Sequence, residues 1–167
     1  AFSPFLYAFQ DRETILRIFE ELSGARLLYN YIWIGGVWND ITDGQLRRIT
    51  KFCEEMSESL KKYHALVGEN HIFVGRTANV GMMSKELCFD HGATGPILRG
   101  SGVNWDLRKN RTYGLYKDLD FDIIVGEGIK GQVGDCWDRY WVRMQEMHES
   151  IKIIKQCTTK EKIIINS

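Results

Sequence analysis

Two short clusters combine acids, arginines and aromatic residues in a way that could do chemistry. The first is Trp105-Asp106-Leu107-Arg108-Lys109, and the second is Asp135-Cys136-Trp137-Asp138-Arg139-Tyr140. An arginine matched to an aspartate under an aromatic ring satisfies buried charge through bidentate hydrogen bonds and stacking. The same groups could also form a catalytic dyad. We favour the first interpretation, in which both clusters line an interface.

One glycine-rich loop, residues 92–102 with the sequence GATGPILRGSG, could be taken for a phosphate-binding loop. A P-loop carries Lys and then Ser or Thr directly after its last glycine, whereas Val103 and Asn104 follow Gly102. The dinucleotide fingerprint needs a third glycine and a preceding strand, and neither is present. Gly100 and Gly102 are therefore expected to permit close backbone packing around Arg99.

Metal and nucleic-acid sites are not predicted. Cys88 and His91 lie one helical turn apart, but no nearby residue completes a ligand set, and the four cysteines form no CxxC pair. The chain has 22 basic and 22 acidic residues, so no net charge attracts nucleic acid. With 167 residues and 44% hydrophobic content, residues 1–167 are predicted to form a single domain.

Apolar residues recur mostly at helical spacing, which predicts a mainly α fold with a helical-bundle core and little β structure. Helices are expected over residues 4–23, 43–66, 85–91 and 135–157. Thr42 with Gln45 predicts a capping box, and Ser84 and Asp135 are predicted helix caps. The aromatic and β-branched stretch over residues 26–40, broken by two glycines, is predicted to be extended or irregular. Residues 71–81 read as a short strand or extended pair, and residues 92–134 as a long ordered loop. Arg12 lies on the apolar stripe of the first helix, so we expect a carboxylate partner for it.

The stretches LSGARLLYNYIWIGGVWND, LRGSGVNWDLRKN, LDFDIIVG, GDCWDRY and VRMQEMHESIKIIKQC resemble one family, collinearly from Ser3 to Cys157. That family is the quinone-site subunit of respiratory complex I, also called NADH dehydrogenase subunit seven, a relative of nickel-iron hydrogenase large subunits. The resemblance implies a hydrogenase-large-subunit-like fold. It also implies structural or interface roles for the following motif residues: Arg12, Arg26, Gly35, Gly36, Arg99, Gly100, Gly102, Trp105, Asp106, Arg108, Asp135, Asp138, Arg139 and Tyr140.

The resemblance further implies a part in electron transfer from NADH to ubiquinone, coupled to proton translocation. No catalytic residue, metal or directly bound cofactor is expected on this chain. The terminal 4Fe-4S cluster belongs to an adjacent subunit, and ubiquinone is reduced in a chamber between that subunit and this one. Phe5 and Phe9 are expected either to line the chamber wall or to be ordinary core aromatics.

The resemblance implies protein partners and a location. The partners are the cluster-bearing quinone-site subunit, a neighbouring peripheral-arm subunit and the membrane-arm quinone-channel subunit. The expected location is the matrix side of the mitochondrial inner membrane, or alternatively the cytoplasmic side of a bacterial plasma membrane. Family members extend beyond both ends of this sequence, so it is either a trimmed part of a longer protein or one product of a split gene, with other fragments as partners.

The chain departs from the family pattern around its aromatic segment. Leu28 stands where the family usually has a histidine thought to sense cluster charge, and Trp38 replaces another usual histidine. Two other functions stay open as alternatives. A hydrogenase-type enzyme would require four cysteine ligands in two pairs, which the sequence lacks. A degenerate fragment retained as a structural protein would explain the lost histidine.

Overall fold

The computed structural model describes residues 3–159 and is mainly helical, as predicted. Its elements in chain order are α1 (Ser3–Ser23), β1 (Ile32–Trp33), β2 (Gly36–Val37), α2 (Asp43–Tyr63), a π-helical turn (His64–Gly68), α3 (His71–Thr77), α4 (Lys85–Asp90), α5 (Gly95–Gly100), α6 (Leu107–Asn110), a 3-10 turn (Tyr116–Asp118) and α7 (Cys136–Thr159). The chain divides into two compact units.

The first unit comprises residues 3–62 together with 157–159. Helix α1 ends at Gly24, whose φ of +76° suits a residue without a side chain and whose N–H donates to Glu20 O at 2.8 Å. The predicted capping box at the start of α2 is present, since Thr42 N donates to Gln45 Oε1 at 2.9 Å. Gln45 also donates to the carbonyl of Glu21 at 3.1 Å and so ties α2 to α1.

A two-stranded antiparallel hairpin lies between these helices in sequence. Ile32 pairs with Val37 and Trp33 with Gly36, which leaves Ile34 and Gly35 as a two-residue turn. Gly35 has φ +93°, a conformation that L side chains rarely adopt. The expectation of an extended or irregular segment around the two glycines is confirmed.

The second unit comprises residues 63–156. Its core forms around α7, from which Trp137, Val142, Met144 and Ile151 are buried. Other core residues come from the shorter elements: Cys88 of α4, Leu98 of α5, and Leu119 and Phe121 of the segment before α7. Trp137, Met144 and Ile151 recur every seven residues on one side of α7, whereas Val142 is buried on another side, so the helix is enclosed on more than one face.

Four predicted helices are confirmed with small shifts in their ends, and two other predictions are wrong. Residues 71–77 form helix α3 rather than a strand, because the side chain of Asn70 accepts hydrogen bonds from the N–H groups of Ile72 and Phe73 at its start. The predicted loop over 92–134 contains α5, α6 and a 3-10 turn. Glycines stand at both ends of α5, whereas α6 begins after an Asp106 cap.

Candidate functional site

The buried side chain of Arg99, at the end of α5, is bound by a carboxylate from α7. Its Nε donates to Glu146 Oε1 at 2.8 Å, and its Nη2 donates to the same oxygen. Its Nη1 donates to the carbonyl of Trp105 at 3.1 Å and lies 3.3 Å from Asp106 Oδ2. Only 7% of the Arg99 side chain is exposed. Because a buried guanidinium without partners is strongly destabilising, these contacts tie α5 and residues 105–106 to α7.

Asp106 forms a second ion pair with Arg108 and begins helix α6. Its Oδ1 accepts the N–H of Arg108 at 2.9 Å, and its Oδ2 accepts Arg108 Nη2 at 2.6 Å. The guanidinium carbon of Arg108 lies 4.9 Å from the centroid of the Phe121 ring. Burial raises the pKa of Asp106, but the hydrogen bonds and charge of Arg108 outweigh burial and hold that pKa below its ordinary value. The first sequence cluster is thus a satisfied ion pair.

Asp135 is buried just before α7, where it accepts three backbone hydrogen bonds. Its Oδ1 accepts the N–H of Asp138 at 2.8 Å, which confirms the predicted helix cap. Its Oδ2 accepts the N–H groups of Asn79 at 2.8 Å and Gln132 at 3.2 Å. The carboxylate therefore connects three segments without any ion pair.

Asp138 is completely buried in the first turn of α7. Its Oδ2 accepts the N–H of Gly128 at 2.9 Å, whereas its Oδ1 has no hydrogen-bond partner among residues 3–159. Burial raises the pKa of Asp138. The backbone N–H groups of Gly128 and Gly134 lower it and the charges of Asp135 and Glu127 raise it, so the pKa lies above its ordinary value. The pKa values of Asp106 and Asp138 are therefore shifted in opposite directions.

Arg139 and Tyr140 complete the second sequence cluster. Arg139 donates to the carbonyls of Gly134 and Gly81, the latter at 2.8 Å, and to the Cys136 sulfur at 3.0 Å. These contacts join the start of α7 to the loops before it. The expected pairing of an acid with an arginine is absent from this second cluster in the described residues.

The Tyr140 ring lies in an aromatic group with Phe73, Trp137 and His64. Its centroid is 5.1 Å from that of Phe73 and 6.2 Å from that of Trp137. Burial raises the pKa of the Tyr140 hydroxyl, which lies 3.5 Å from His64 Nδ1. Tyr140 thus packs in the interior of the second unit.

Glycines allow the backbone around Arg99 to pack closely, as the sequence predicts. A Cβ at Gly100 would lie 2.8 Å from Arg139 Cγ, and a Cβ at Gly126 would lie 2.2 Å from Gly100 O. Gly126 N donates to Arg99 O at 2.8 Å. Gly102 has φ +78°, which favours glycine. The backbone segments on both sides of the ion-pair network can touch only because these side chains are absent.

In the first unit, the N-terminal end of α1 is apolar and exposed. Phe5, Leu6 and Phe9 are 65%, 66% and 61% exposed, and none of the described residues of α1 is fully buried. The interpretation of Phe5 and Phe9 as core aromatics is therefore wrong for this chain. A surface patch of this kind is typical of a binding or interaction site.

The two arginines predicted for structural roles near α1 differ in their surroundings. The expected partner for Arg12 is absent among residues 3–159. None of the described residues of α1 is buried, so Arg12 is exposed and water can solvate its charge. Arg26 pairs with Glu20 through an Nη1–Oε2 contact of 3.0 Å and also with Glu13. Arg26 therefore folds the segment after α1 back along that helix.

The hairpin presents a second exposed apolar surface in the first unit. No charged residue occurs over residues 27–39. Leu28 and Ile32 are 83% and 84% exposed, and Ile34 at the turn is fully exposed. Trp33 and Trp38 pack against each other with ring centroids 4.6 Å apart. Gly35 and Gly36 thus position an uncharged hairpin whose apolar side chains face water in this chain.

Sequence reasoning missed Glu146 and Asn79, which complete the buried clusters. Glu146 lies on α7 two residues after Met144, a buried position, and that proximity to the core face was the only available signal. Asn79 has φ +59°, and its N–H reaches Asp135 across 56 positions of sequence. Contacts of this kind follow from tertiary packing and not from local pattern.

Residues 3–159 contain neither a candidate metal cluster nor a candidate membrane-spanning helix. No group of three or more His, Cys, Asp or Glu side chains in that range could hold a metal ion. None of the helices in the same range has both the length and the apolar character to cross a membrane.

The sequence is similar to a known family and to bacterial proteins. Residues 1–164 match the family described as respiratory-chain NADH dehydrogenase, 49 Kd subunit. Proteins named as the D subunit of NADH-quinone oxidoreductase, from Amoebophilus asiaticus and Chlorobium chlorochromatii, are 49% and 48% identical over 160 residues. A protein of the same kind from Cytophaga hutchinsonii is 48% identical.

These alignments cover 96% of this chain but only 40% of the Amoebophilus and Chlorobium proteins and 41% of the Cytophaga protein. The chain thus spans about two fifths of the length of the relatives that it matches. Because both the family match and the identity extend over nearly all of the chain, it belongs to the family of the 49 Kd subunit of respiratory-chain NADH dehydrogenase.

Proposed function

We propose that this chain is part of the peripheral-arm subunit of a proton-translocating NADH:quinone oxidoreductase and helps to form the chamber where quinone is reduced. Family membership and the names of the relatives support this role. The observation that carries it is the exposed apolar surface of the first unit, at the end of α1 and on the hairpin. An isolated protein would leave both patches in water, whereas a subunit would cover them.

The end of α1 is the proposed wall of the quinone chamber. Phe5 and Phe9 are four residues apart, so their side chains emerge on one face of the helix, and Leu6 extends the apolar surface beside them. Ubiquinone has a planar, conjugated head group and an apolar tail. Pockets for such molecules are lined mainly by apolar and aromatic side chains. This end of α1 offers that chemistry.

The hairpin is the proposed contact with the neighbouring subunit that carries the terminal 4Fe-4S cluster. Its uncharged surface, with Trp33 and Trp38 at the centre, resembles the aromatic, charge-poor core of protein interfaces. Leu28 cannot take up a proton. We therefore propose that redox-linked protonation near the cluster does not use this position, unlike in family members that have a histidine there.

The second unit is the proposed scaffold. Arg99, Glu146, Asp106 and Arg108 are buried or half-buried and satisfy one another. Such side chains hold backbone segments in place and leave no free acid or base for catalysis among themselves. The chain would therefore position other components, and its role in electron transfer would be exerted through the complex.

The proposed partners are the remainder of the same subunit's polypeptide, the cluster-bearing subunit, the neighbouring peripheral-arm subunit and the membrane-arm quinone-channel subunit. The proposed location is peripheral, on the matrix side of the mitochondrial inner membrane or on the cytoplasmic side of a bacterial plasma membrane.

The test is a pair of substitutions at the proposed chamber wall, Phe5→Gln with Phe9→Gln, made in the native complex. NADH:quinone activity should fall with a raised KM for quinone, while NADH oxidation by an artificial acceptor that bypasses the quinone site should be unchanged. Phe89→Gln is the matched control, because Phe89 is 62% exposed on α4 in the second unit. An unchanged KM for quinone in the doubly substituted complex would contradict the chamber-wall role.

Purification through a tag on this chain tests membership of the complex separately. The chain should co-purify with NADH-oxidising membrane activity. Recovery of the tagged chain without that activity would favour the degenerate structural fragment.

A further inference from the structure

Asp138 is a buried acid that the proposed function does not use. It is completely inaccessible to solvent, and one of its two carboxylate oxygens, Oδ1, has no hydrogen-bond partner in the described part of the chain. The other oxygen accepts the N–H of Gly128 at 2.9 Å, and the N–H of Gly134 makes a smaller contribution to the carboxyl group. A buried carboxylate with so few donors is poorly compensated for the loss of water.

The charged groups around Asp138 do not neutralise it. Asp135 and Glu127 face it with charge of the same sign. Arg139, the next residue of α7, donates to the carbonyls of Gly134 and Gly81. These contacts leave Asp138 beside two other acids without a salt bridge.

The nearest elements beyond α7 offer no compensation either. Arg99 of α5 lies close through its backbone, but its guanidinium is committed to Glu146 and Asp106. In the same unit, the carboxylate of Asp106 is compensated, because two arginines lie within 3.3 Å of it. Asp106 and Asp138 therefore lie in opposite electrostatic environments.

The backbone around Asp138 leaves little space for rearrangement while the loop stays in place. A Cβ at Gly126 would lie 2.7 Å from Asp138 Oδ2, so the glycine backbone lies directly against the carboxyl. Gly128, two residues further on, donates its N–H to the same oxygen. The loop of residues 126–134 is thus held against α7 partly through this carboxyl group.

We propose that Asp138 carries a proton in the folded chain, and that loss of this proton releases the backbone of residues 126–128 from α7. A neutral carboxyl can stay buried at modest cost, whereas a carboxylate beside Asp135 and Glu127 would be drawn towards water. Charge on Asp138 would strengthen the bond from Gly128, but two backbone donors, Gly128 and Gly134, do not replace the hydration of an ion. The loop would open to let water reach the group.

The direction of the pH effect follows from proton binding. The raised pKa of Asp138 in the folded state means that the folded chain binds a proton that the unfolded chain has already lost. Protonated Asp138 therefore stabilises the folded chain at low pH. It is lost as pH rises from the ordinary aspartate value, about 4, through the folded-state pKa.

Substitutions at Asp138 and Asp135 in the full 167-residue chain test the proposal. Asp138→Asn mimics the protonated acid, so it should raise the thermal unfolding midpoint at pH 7, and its advantage should shrink as pH falls towards about 4. Asp135→Asn is the matched control, because Asp135 accepts three backbone hydrogen bonds and an amide can replace only part of that acceptor capacity. It should lower the midpoint at pH 7.

Hydrogen exchange of the wild-type chain gives a readout that needs no variant. Protection of the Gly128 N–H, corrected for the intrinsic pH dependence of exchange, should decrease as pH rises, while that of the Gln132 N–H, bound to Asp135, should stay constant. A destabilising Asp138→Asn substitution at pH 7, or Gly128 protection that is the same across the pH range, would show that Asp138 is ionised in the fold and would overturn the proposal.

Discussion

Arg99 donates two hydrogen bonds, from Nε and Nη2, to a single carboxylate oxygen of Glu146, a residue 47 positions away in the sequence. The guanidinium is almost fully buried, whereas 21% of the Glu146 side chain is exposed. The pair therefore joins α5 to α7 in an interior where an unpaired arginine would be costly. The stability of the second unit should depend on it.

Removal of one partner from this pair should be strongly destabilising. Glu146→Ala leaves Arg99 with only the Trp105 carbonyl and Asp106, and we expect a loss of about 3 kcal/mol in the free energy of unfolding, measured by urea denaturation. Lys61→Ala breaks the exposed pair with Glu58 and serves as the control, with a much smaller expected loss because water screens the pair. Equal losses in the two variants would mean that burial does not set the strength of the Arg99 pair.

Two glycine-to-alanine substitutions should have opposite effects. Gly100→Ala places a methyl group 2.8 Å from Arg139 Cγ and 3.3 Å from its Cα, so we expect destabilisation by about 1–3 kcal/mol. Gly75→Ala lies in helix α3 with nothing within 4 Å of the new methyl group, and we expect stabilisation by roughly 0.5–1 kcal/mol. Thermal unfolding of the two variants would check both signs, and a neutral Gly100→Ala would contradict the close packing.

Asp106 should make the chain sensitive to acid. Its folded-state pKa is lowered, so its stabilisation is present above the ordinary aspartate pKa of about 4 and is lost as pH falls through the lower folded value. The difference in unfolding free energy between the wild type and Asp106→Asn should be largest at neutral pH and should shrink in acid. A difference that does not change with pH would show that the ion pair with Arg108 contributes nothing.

The hairpin turn should matter for assembly and not for folding. Ile34 is fully exposed, so Ile34→Lys should change the stability of the chain by less than about 0.5 kcal/mol. The same substitution should reduce recovery of the chain in the complex, because a charge would enter an apolar interface. Ile34→Leu should restore recovery. Normal assembly of the lysine variant would exclude this turn from the interface.

Helix starts were the most predictable part of the fold. Thr42 with Gln45, Ser84 and Asp135 all accept or exchange the hydrogen bonds that their positions predict, because a cap is a local interaction over three residues. Helix α3 was mistaken for a strand because its β-branched and aromatic residues outweighed the Asn70 cap. Short helices bounded by glycines, such as α5, give too few turns for a periodic signal.

The site was predictable only where both partners are neighbours in the sequence. Asp106 and Arg108 stand two positions apart, and their pairing follows from the cluster itself. The partner of Arg99 could not be inferred, because Glu146 reaches it through the packing of α7. Arg12 was expected to need a partner on the assumption that its helix face is buried. The exposed surface of α1 removes that need in this chain.

Genetic variation at the codon for Gly126 should have few tolerated outcomes. Every single-base missense change of a glycine codon introduces a Cβ atom, and at this position that atom would meet the Gly100 carbonyl at 2.2 Å. The displaced Gly100 backbone would move the adjacent Arg99, and with it the guanidinium held by Glu146. A screen of all possible replacements, selected for a folded chain, should therefore recover only glycine codons at position 126. The polarity and size of the replacing side chain should make no difference.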